Sequence, residues 1–250
     1  MSSSDPAVPP QIVPRPPTAR PGGPPPWSGL PPGRRRHLTL EVVLDALDRA
    51  GHGGDAPPPG EAPAEVLDSF VSVERAALAA VLVALFEERG EARVVLTRRS
   101  TRLRSHRGEV SFPGGRAEPG EDPWAAAVRE AAEEVGLDPA TVTRHGWLQP
   151  VVTFQSGSFI MPVVGGLPGR PVLVANPAEV DRVFDVALTD LLADDVFHEE
   201  LWMLPESADS DGRERPIWFF EAAGELVWGA TARVLTELLA VVVGVKPPPR

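Results

Sequence analysis

The sequence contains no cysteine, and this absence excludes three kinds of chemistry. Without thiols the chain has no disulfide framework, no thiolate nucleophile and no cysteine-ligated zinc site. Lysine is almost absent as well, since Lys246 is the only one in the chain. The positive charge of this protein is therefore almost entirely arginine.

Long apolar runs and an excess of positive charge are missing too. The run from Leu238 to Val243 is far too short to cross a bilayer, and residues 1–36 lack the apolar core of a signal peptide. Asp and Glu number 35 against 24 for Lys and Arg, which gives a formal net charge of −11. General nucleic-acid binders are usually basic. We therefore expect a cytoplasmic protein that binds neither nucleic acid nor membranes.

Composition divides the chain into four parts. Residues 1–36 are rich in proline and glycine and lack apolar periodicity, which predicts a disordered tail. Residues 37–63 are predicted to hold a short helix, capped by Thr39, and a Gly/Pro linker. The main domain is expected at residues 64–244, because a chain that is 42% hydrophobic can bury one substantial core. Residues 245–250 are expected to be a loose tail.

Apolar runs and turn residues within the main domain predict an α/β protein. Strands on both sides of a central helix, followed by a last helix, fit a mixed β-sheet sandwiched between helices (α/β/α). The central helix is expected to have Asp122 as its N-cap, Pro123 in its first turn and Gly136 at its C-terminal cap. The predicted strands are 77–86, 93–98, 107–112, 142–153, 159–164, 216–220 and 224–227, and the predicted helices are 40–50, 122–135, 187–193 and 231–242.

The central helix carries a cluster of carboxylates. At about 100° per residue, Glu130, Glu133 and Glu134 fall on one side and the apolar residues on the other. Like charges at this spacing repel each other, so a helix that retains them is expected to hold a cation. Ligands that are all oxygen favour a hard ion such as Mg²⁺ or Mn²⁺. The alternative interpretation is a solvated acidic face.

The segment before this helix, residues 96–115, reads LTRRSTRLRSHRGEVSFPGG and concentrates positive charge in an acidic chain. Arginine binds phosphate oxygens through two parallel hydrogen bonds, so the segment suits a polyanionic ligand. The alternative is a solvated strand and loop. The five arginines of the segment are Arg98, Arg99, Arg102, Arg104 and Arg107, and they stand beside His106 with no acidic residue before Glu109.

The order of glycines and charges from Gly115 to Leu137 resembles the Nudix box. That pattern is a glycine, five residues, Glu, seven residues, Arg-Glu, two residues, Glu-Glu, one residue, glycine and an apolar residue. The positions that match it are Gly115, Glu121, Arg129, Glu130, Glu133, Glu134, Gly136 and Leu137. The upstream segment, with Asn176-Pro177 and Trp228-Gly229 downstream, looks like the coenzyme A diphosphatase branch of the Nudix family. The resemblance covers roughly residues 70–243.

This resemblance implies a Nudix fold and a metal-dependent hydrolase. Glu130 and Glu134, one helical turn apart, would be the principal ligands of Mg²⁺ or Mn²⁺. Glu133 would share a metal ion or take the proton from the attacking water. Arg129 would orient Glu133, and the backbone carbonyl of Gly114, or of the residue after it, would complete the coordination.

The resemblance also implies a small-molecule substrate. Coenzyme A or a derivative would be cleaved at its diphosphate into 3′,5′-ADP and 4′-phosphopantetheine, with Arg98, Arg99, Arg104 and His106 contacting phosphate or adenine. Another Nudix specificity stays open, such as ADP-ribose, a nucleotide sugar or an oxidised nucleoside triphosphate. A non-catalytic nucleotide sensor or interaction module is the alternative from another class. The sequence leaves a homodimer open.

Overall fold

The computed structural model describes residues 11–54, 77–153, 158–203, 206–207, 210–211 and 214–247. Its helices are α1 (Leu40–Arg49), α2 (Pro123–Val135), α3 (Leu188–Leu191) and α4 (Gly229–Val243). Its strands are β1 (Arg20–Pro21), β2 (Ala77–Glu88), β3 (Glu91–Arg99), β4 (Val110–Ser111), β5 (Gly114–Arg116), β6 (Thr143–Trp147), β7 (Val151–Val152), β8 (Ser158–Gly166), β9 (Val180–Ala187), β10 (Phe197–Met203), β11 (Glu206–Ser207), β12 (Ser210–Asp211), β13 (Glu214–Ala222) and β14 (Glu225–Trp228). The predicted start of the main domain at residue 64, most of the Gly/Pro linker and residues 248–250 lie outside the described residues.

Strand β2 is the centre of the larger sheet. Its apolar sequence is buried on both faces of the sheet, and it runs parallel to β8 along one edge. The other edge pairs antiparallel with β3 near the end of β2 and with β5 near its beginning. Strands β4 and β9 pair with β3, and β6 and β7 pair with β8, which completes a mixed sheet of eight strands. This pairing holds β5, the strand just before α2, against β2.

Alternate residues of β2 face two separate cores. Leu82 and Phe86 pack with α2 on one face, whereas Val83 and Leu85 pack with α1, α4 and a second sheet on the other. The second sheet has the strand order β1-β10-β13-β14. The predicted α/β class, a mixed sheet between helices, is confirmed. Among the described residues, the structure has no helix of the length and apolarity that a membrane span requires.

Strands β9 and β10 were not among the predicted strands. Both are rich in charged residues, with the sequences VDRVFDVA and FHEELWM, and such runs lack the apolar alternation that identifies a strand from sequence. Their backbones nevertheless pair along β3 and β13. Ion pairs with distant parts of the chain accommodate several of these charges, since Asp185 pairs with Arg93, Arg182 with Glu225 and Glu200 with Arg15. Such partners are visible only in the folded chain.

Residues 11–36 contradict the prediction of a disordered tail. Strand β1 pairs with β10 at the edge of the second sheet, and Trp27 is fully buried. The Trp27 ring lies 5.5 Å from the ring of Phe197 and 6.3 Å from that of Phe220. The proline-rich composition of the segment predicted disorder. Composition does not show that one large aromatic residue, Trp27, packs into the core. Residues 1–10 lie outside the described part of the chain.

Helix α1 also belongs to the main domain, although the sequence placed it in a separate linker region. Thr39 is its N-cap, as predicted, and its Oγ1 accepts a hydrogen bond of 3.3 Å from the Val42 amide. Val43 and Leu47 are buried in the same core as α4. The amphipathic pattern of α1 identified this apolar face but not the helix that covers it.

Candidate active site

Helix α2 begins and ends where its sequence predicts. The Asp122 carboxylate accepts hydrogen bonds from the Trp124 and Ala125 amides at 3.0 and 3.2 Å, which satisfies two free N–H groups of the first turn. Gly136 ends the helix in the left-handed region, with φ 66° and ψ 24°. Between these caps, the apolar face of the helix packs against β2, and the Glu134 carboxylate meets the backbone of β5.

Two consecutive glycines bring the backbone of β5 close to α2. Gly114 has φ 149°, and a Cβ atom there would collide with the carbonyl oxygen of Ala80. A Cβ atom on Gly115 would collide with the carboxylate of Glu130. The Gly114 amide donates a hydrogen bond of 3.0 Å to Oε2 of Glu134. Glycine is therefore required at Gly114, where the clash is with backbone, whereas a side chain at Gly115 would displace the Glu130 carboxylate.

Glu134 is buried, with only 2% of its surface exposed, and this contradicts the alternative interpretation of a solvated acidic face. Burial raises the pKa of Glu134 to about 7, since a carboxylate loses hydration inside the protein. The Gly114 amide and the Arg99 guanidinium lower this pKa in part, while the nearby charges of Glu179 and Glu130 raise it further. Burial likewise raises the pKa of Glu130. The site thus gathers desolvated negative charge.

This burial predicts a pH-dependent cost in stability. The folded-state pKa of Glu134 is about 7 against an ordinary 4.5, so the cation-free protein loses stability as pH rises from about 4.5 to 7. The loss is on the order of 3 kcal/mol. In chelator, Glu134→Gln is expected to melt several degrees above the wild type at pH 8 and at a similar temperature at pH 4.5, as measured by differential scanning calorimetry. Glu133→Gln, at an exposed carboxylate of the same helix, is the control. An equal difference in melting temperature at both pH values would contradict this explanation.

Arg129 joins three carboxylates. Its Nε and Nη2 atoms lie 2.9 and 3.0 Å from the two oxygens of Glu121, and its Nη1 atom lies 3.0 Å from Glu130. The more exposed Glu133 is 3.4 Å from the same Nη1 atom. The prediction was that Arg129 orients Glu133, whereas the shorter contacts are to Glu121 and Glu130. The Arg129 guanidinium lowers the pKa of Glu121 to about 2.

Glu179 is a further carboxylate near the site, and it lies outside the box pattern. Its charge raises the pKa values of both Glu130 and Glu134. The loop before β9 is fixed to α2, because the Asn176 amide donates to the Glu134 carbonyl at 2.8 Å and the Glu179 amide donates to the Asn176 carbonyl at 3.0 Å. The sequence signal was the Asn-Pro-Ala-Glu run, but no helical periodicity relates it to the box.

The arginine segment divides in the structure. Arg99 reaches the carboxylates, with its Nη1 atom 3.6 Å from Oε1 of Glu134. Within the described residues, the buried Nε atom of Arg99 has no hydrogen-bond acceptor. Arg98 points instead into the protein and forms a buried ion pair of 2.8 Å with Glu225. The expectation that Arg98 contacts substrate is therefore corrected, because adjacent residues of a strand face opposite sides of the sheet.

Arg104 and His106 lie in the exposed loop between β3 and β4. Nδ1 of His106 is 3.0 Å from Oε2 of Glu109, and this contact raises the pKa of the histidine. Their contact with substrate stays a prediction. Of the four residues assigned to substrate, the structure brings Arg99 alone, within the described chain, into ion-pair distance of a box carboxylate.

The donor atoms of this site fit a hard divalent cation. The site offers only oxygen ligands, from the side chains of Glu130, Glu134 and Glu179 and from the adjacent glycine carbonyls. A bound cation would offset the repulsion among the three carboxylates. Across the described ranges, no three His, Asp or Glu side chains already stand in a metal-binding arrangement. Glu130 is instead hydrogen-bonded to Arg129, and Glu134 to the Gly114 amide. The residues therefore fit the ion by chemistry, and their carboxylates must turn to coordinate it.

Comparison with known proteins identifies the family of this chain. The model of the NUDIX domain matches residues 75–219, which is more than half of the chain, and the protein therefore belongs to the Nudix family. Members of this family are hydrolases that act on diphosphate bonds and generally use divalent cations.

Two relatives and one solved structure illustrate the similarity. The chain is 41% identical over 180 residues to "Nudix hydrolase 22, chloroplastic" of Arabidopsis thaliana, covering 68% of this chain and 56% of that protein. It is 37% identical over 146 residues to "Uncharacterized Nudix hydrolase NudL" of Photorhabdus laumondii, covering 58% and 74%. The Nudix hydrolase RenU of M. smegmatis superposes with a TM-score of 0.41 and 25% identity, covering 47% and 74%. The chain thus spans a little over half of the plant relative. Another plant relative is named mitochondrial, and the cytoplasmic location of this chain stays a prediction.

Proposed function

We propose that this protein hydrolyses the diphosphate bond of coenzyme A or one of its derivatives, with Mg²⁺ or Mn²⁺, to 3′,5′-ADP and 4′-phosphopantetheine. The observation that carries the proposal is the position of Arg99. This arginine belongs to the segment that resembles coenzyme A diphosphatases, and its guanidinium lies 3.6 Å from the box carboxylate of Glu134. A phosphate-binding group and the metal-ligand candidates therefore share one site.

Each residue of the site has a distinct role in this proposal. Glu130 and Glu134, with Glu179 beside them, would hold the divalent cation, which when bound would supply Lewis-acid activation of water and neutralise phosphoryl charge. Arg99, whose side chain is 26% exposed, binds a phosphoryl oxygen through the accessible part of its guanidinium. Glu133 is the most exposed of the box carboxylates and accepts the proton of the attacking water.

Arg129 has a supporting role in the same proposal. It holds Glu130 at 3.0 Å and Glu133 at 3.4 Å, so it orients the carboxylates without losing its own charge. Its paired contacts with Glu121 fix the guanidinium from the other side. The carbonyl of Gly114 or of the next residue completes the oxygen set.

The charge of the neighbouring loop supports coenzyme A over substrates that carry only a diphosphate. Arg102, Arg104 and Arg107 are exposed in the loop between β3 and β4, in addition to Arg99. A bound divalent cation already offsets much of the charge of a diphosphate. The further arginines suit a third phosphate group, as in the 3′-phosphate of coenzyme A. ADP-ribose and other nucleoside diphosphate derivatives are the alternative substrates.

A substrate panel tests this proposal. Purified protein is incubated with coenzyme A, ADP-ribose, a nucleotide sugar or an oxidised nucleoside triphosphate, with Mg²⁺ or Mn²⁺ and with or without chelator, and the products are identified by mass spectrometry. We expect metal-dependent release of 3′,5′-ADP, with kcat/KM for coenzyme A at least about tenfold above that for ADP-ribose. A mock purification from cells that do not express the protein controls for contaminating hydrolases. Faster turnover of ADP-ribose would overturn the specificity, and cleavage of no substrate would favour a nucleotide sensor.

A further inference from the structure

Two arginines face each other on neighbouring strands beneath the arginine-rich loop. Arg98 of β3 and Arg182 of β9 are register partners in the central sheet, and like charges in that relation repel. Glu225 of β14, in the second sheet, lies between them. Its Oε2 is 2.8 Å from Nη1 of Arg98 and its Oε1 is 2.8 Å from Nη1 of Arg182. We call these three residues the cross-sheet clamp.

The clamp buries charged groups between two sheets, and the loss of their hydration costs free energy. The Arg98 and Glu225 side chains are only 7% and 4% exposed, whereas that of Arg182 is 42% exposed. Replacing a buried ion group with apolar residues of similar volume is often neutral or stabilising. Stabilisation of the contact between the two sheets therefore does not by itself explain why these three residues are charged. Their position in the fold suggests a second reason.

The pairing of β3 with β9 becomes irregular directly after the clamp. The register of β3 and β9 shifts there, so that Arg99 faces Val180 and Asp181 is skipped. A bulge of this kind redirects side chains and ends strand pairing. The Asp181 carboxylate accepts a hydrogen bond of 3.0 Å from the Thr101 amide. Arg99, the residue that reaches Glu134, is thus the first residue beyond the clamp.

The C-terminal end of the loop, at Gly108 and Glu109, is hydrogen-bonded to the backbone of Arg99. The Gly108 amide donates to the Arg99 carbonyl at 3.1 Å, and the Arg99 amide donates to the Glu109 carbonyl at 2.9 Å. A Cβ atom on Gly108 would lie 3.5 Å from Nη2 of Arg98. The guanidinium of Arg98 therefore lies directly beside Gly108, at the base of the loop.

We propose that Arg182 and Glu225 are positioning residues which, through Arg98, hold Arg99 and residues 100–109 in the geometry that receives the substrate phosphates. This inference rests on the proposed function. It adds that the second sheet, far along the chain from the box, helps to set substrate affinity. The clamp residues act through Arg99 and the loop and do not themselves contact substrate.

A pair of double variants of the full chain tests the clamp. Arg98→Met with Glu225→Met removes two opposite buried charges together and leaves no uncompensated buried charge. The matched control is Arg93→Met with Asp185→Met. Those residues form an ion pair between β3 and β9, at the end of the two strands away from Arg98 and Arg182, and Asp185 is likewise shared with a second arginine, Arg170.

The expected result is a change in substrate affinity that the control lacks. KM for coenzyme A should rise about tenfold in the clamp variant while kcat changes less than about threefold, since binding geometry is lost and the metal site is kept. The control should stay within about twofold of wild type in KM. Amide hydrogen exchange of residues 99–109, measured without substrate, should be several-fold faster in the clamp variant only.

The two measurements separate the possible failures. A folded clamp variant with wild-type KM and wild-type exchange would overturn the positioning role. Wild-type protein that does not cleave coenzyme A, combined with faster loop exchange in the variant, would overturn the substrate and retain the clamp. If the double variant fails to fold, Arg182→Ala decides the question, because it leaves the Arg98–Glu225 pair balanced; the same changes in KM and loop exchange are expected, and their absence counts against the clamp.

Discussion

Replacing Glu134 with glutamine is expected to lower kcat for diphosphate hydrolysis by about 10³-fold or more, which corresponds to roughly 4 kcal/mol of transition-state stabilisation. The amide carries no charge for a divalent cation, while its oxygen can still accept the hydrogen bond of 3.0 Å from the Gly114 amide. The side chain keeps its size in a buried position, so the fold should persist. Steady-state kinetics at saturating Mg²⁺ or Mn²⁺ measures the loss, and circular dichroism checks the fold.

The control for this variant is Glu118→Gln. Glu118 is an exposed carboxylate between β5 and α2, and its replacement removes the same charge from the same region without touching the cluster. We expect its kcat to stay within about twofold of wild type, as is usual for exposed sites without special contacts. Unchanged turnover by Glu134→Gln would refute the metal site proposed here.

Replacing Trp27 with alanine is expected to lower the free energy of unfolding by about 3–5 kcal/mol, the usual cost of deleting a large buried aromatic side chain. The indole is fully buried and packs against Phe197 and Phe220. Its removal should leave a cavity between the second sheet and the helices. Urea unfolding, followed by circular dichroism, measures the change.

Ile12→Ala is the matched control in the same N-terminal segment. Ile12 is 86% exposed, so its truncation should change the free energy of unfolding by less than about 0.5 kcal/mol. Equal stability of the Trp27→Ala protein and the wild type would mean that residues 11–36 are not part of the folded core, and the tail predicted from composition would be restored.

The sequence by itself determined the features that depend on nearby residues. Asp122 begins helix α2 and Gly136 ends it, as their cap chemistry predicts, and Thr39 begins α1. The apolar run of β2 predicted a central strand, and the spacing of the box residues predicted the family. These features were accessible because capping, helical periodicity and motif spacing act over a few residues along the chain.

The tertiary structure alone decided what covers each face. Periodicity placed Glu134 with its neighbours but not beneath β5, where burial raises its pKa to about 7. Strand alternation separates Arg98 from Arg99, yet only the packing of the second sheet shows that Glu225 neutralises one while the other reaches the carboxylates. Trp27 becomes a core residue because β10 and β13 supply its partners. Burial and charge pairing depend on contacts between distant parts of the chain, and local sequence patterns do not contain that information.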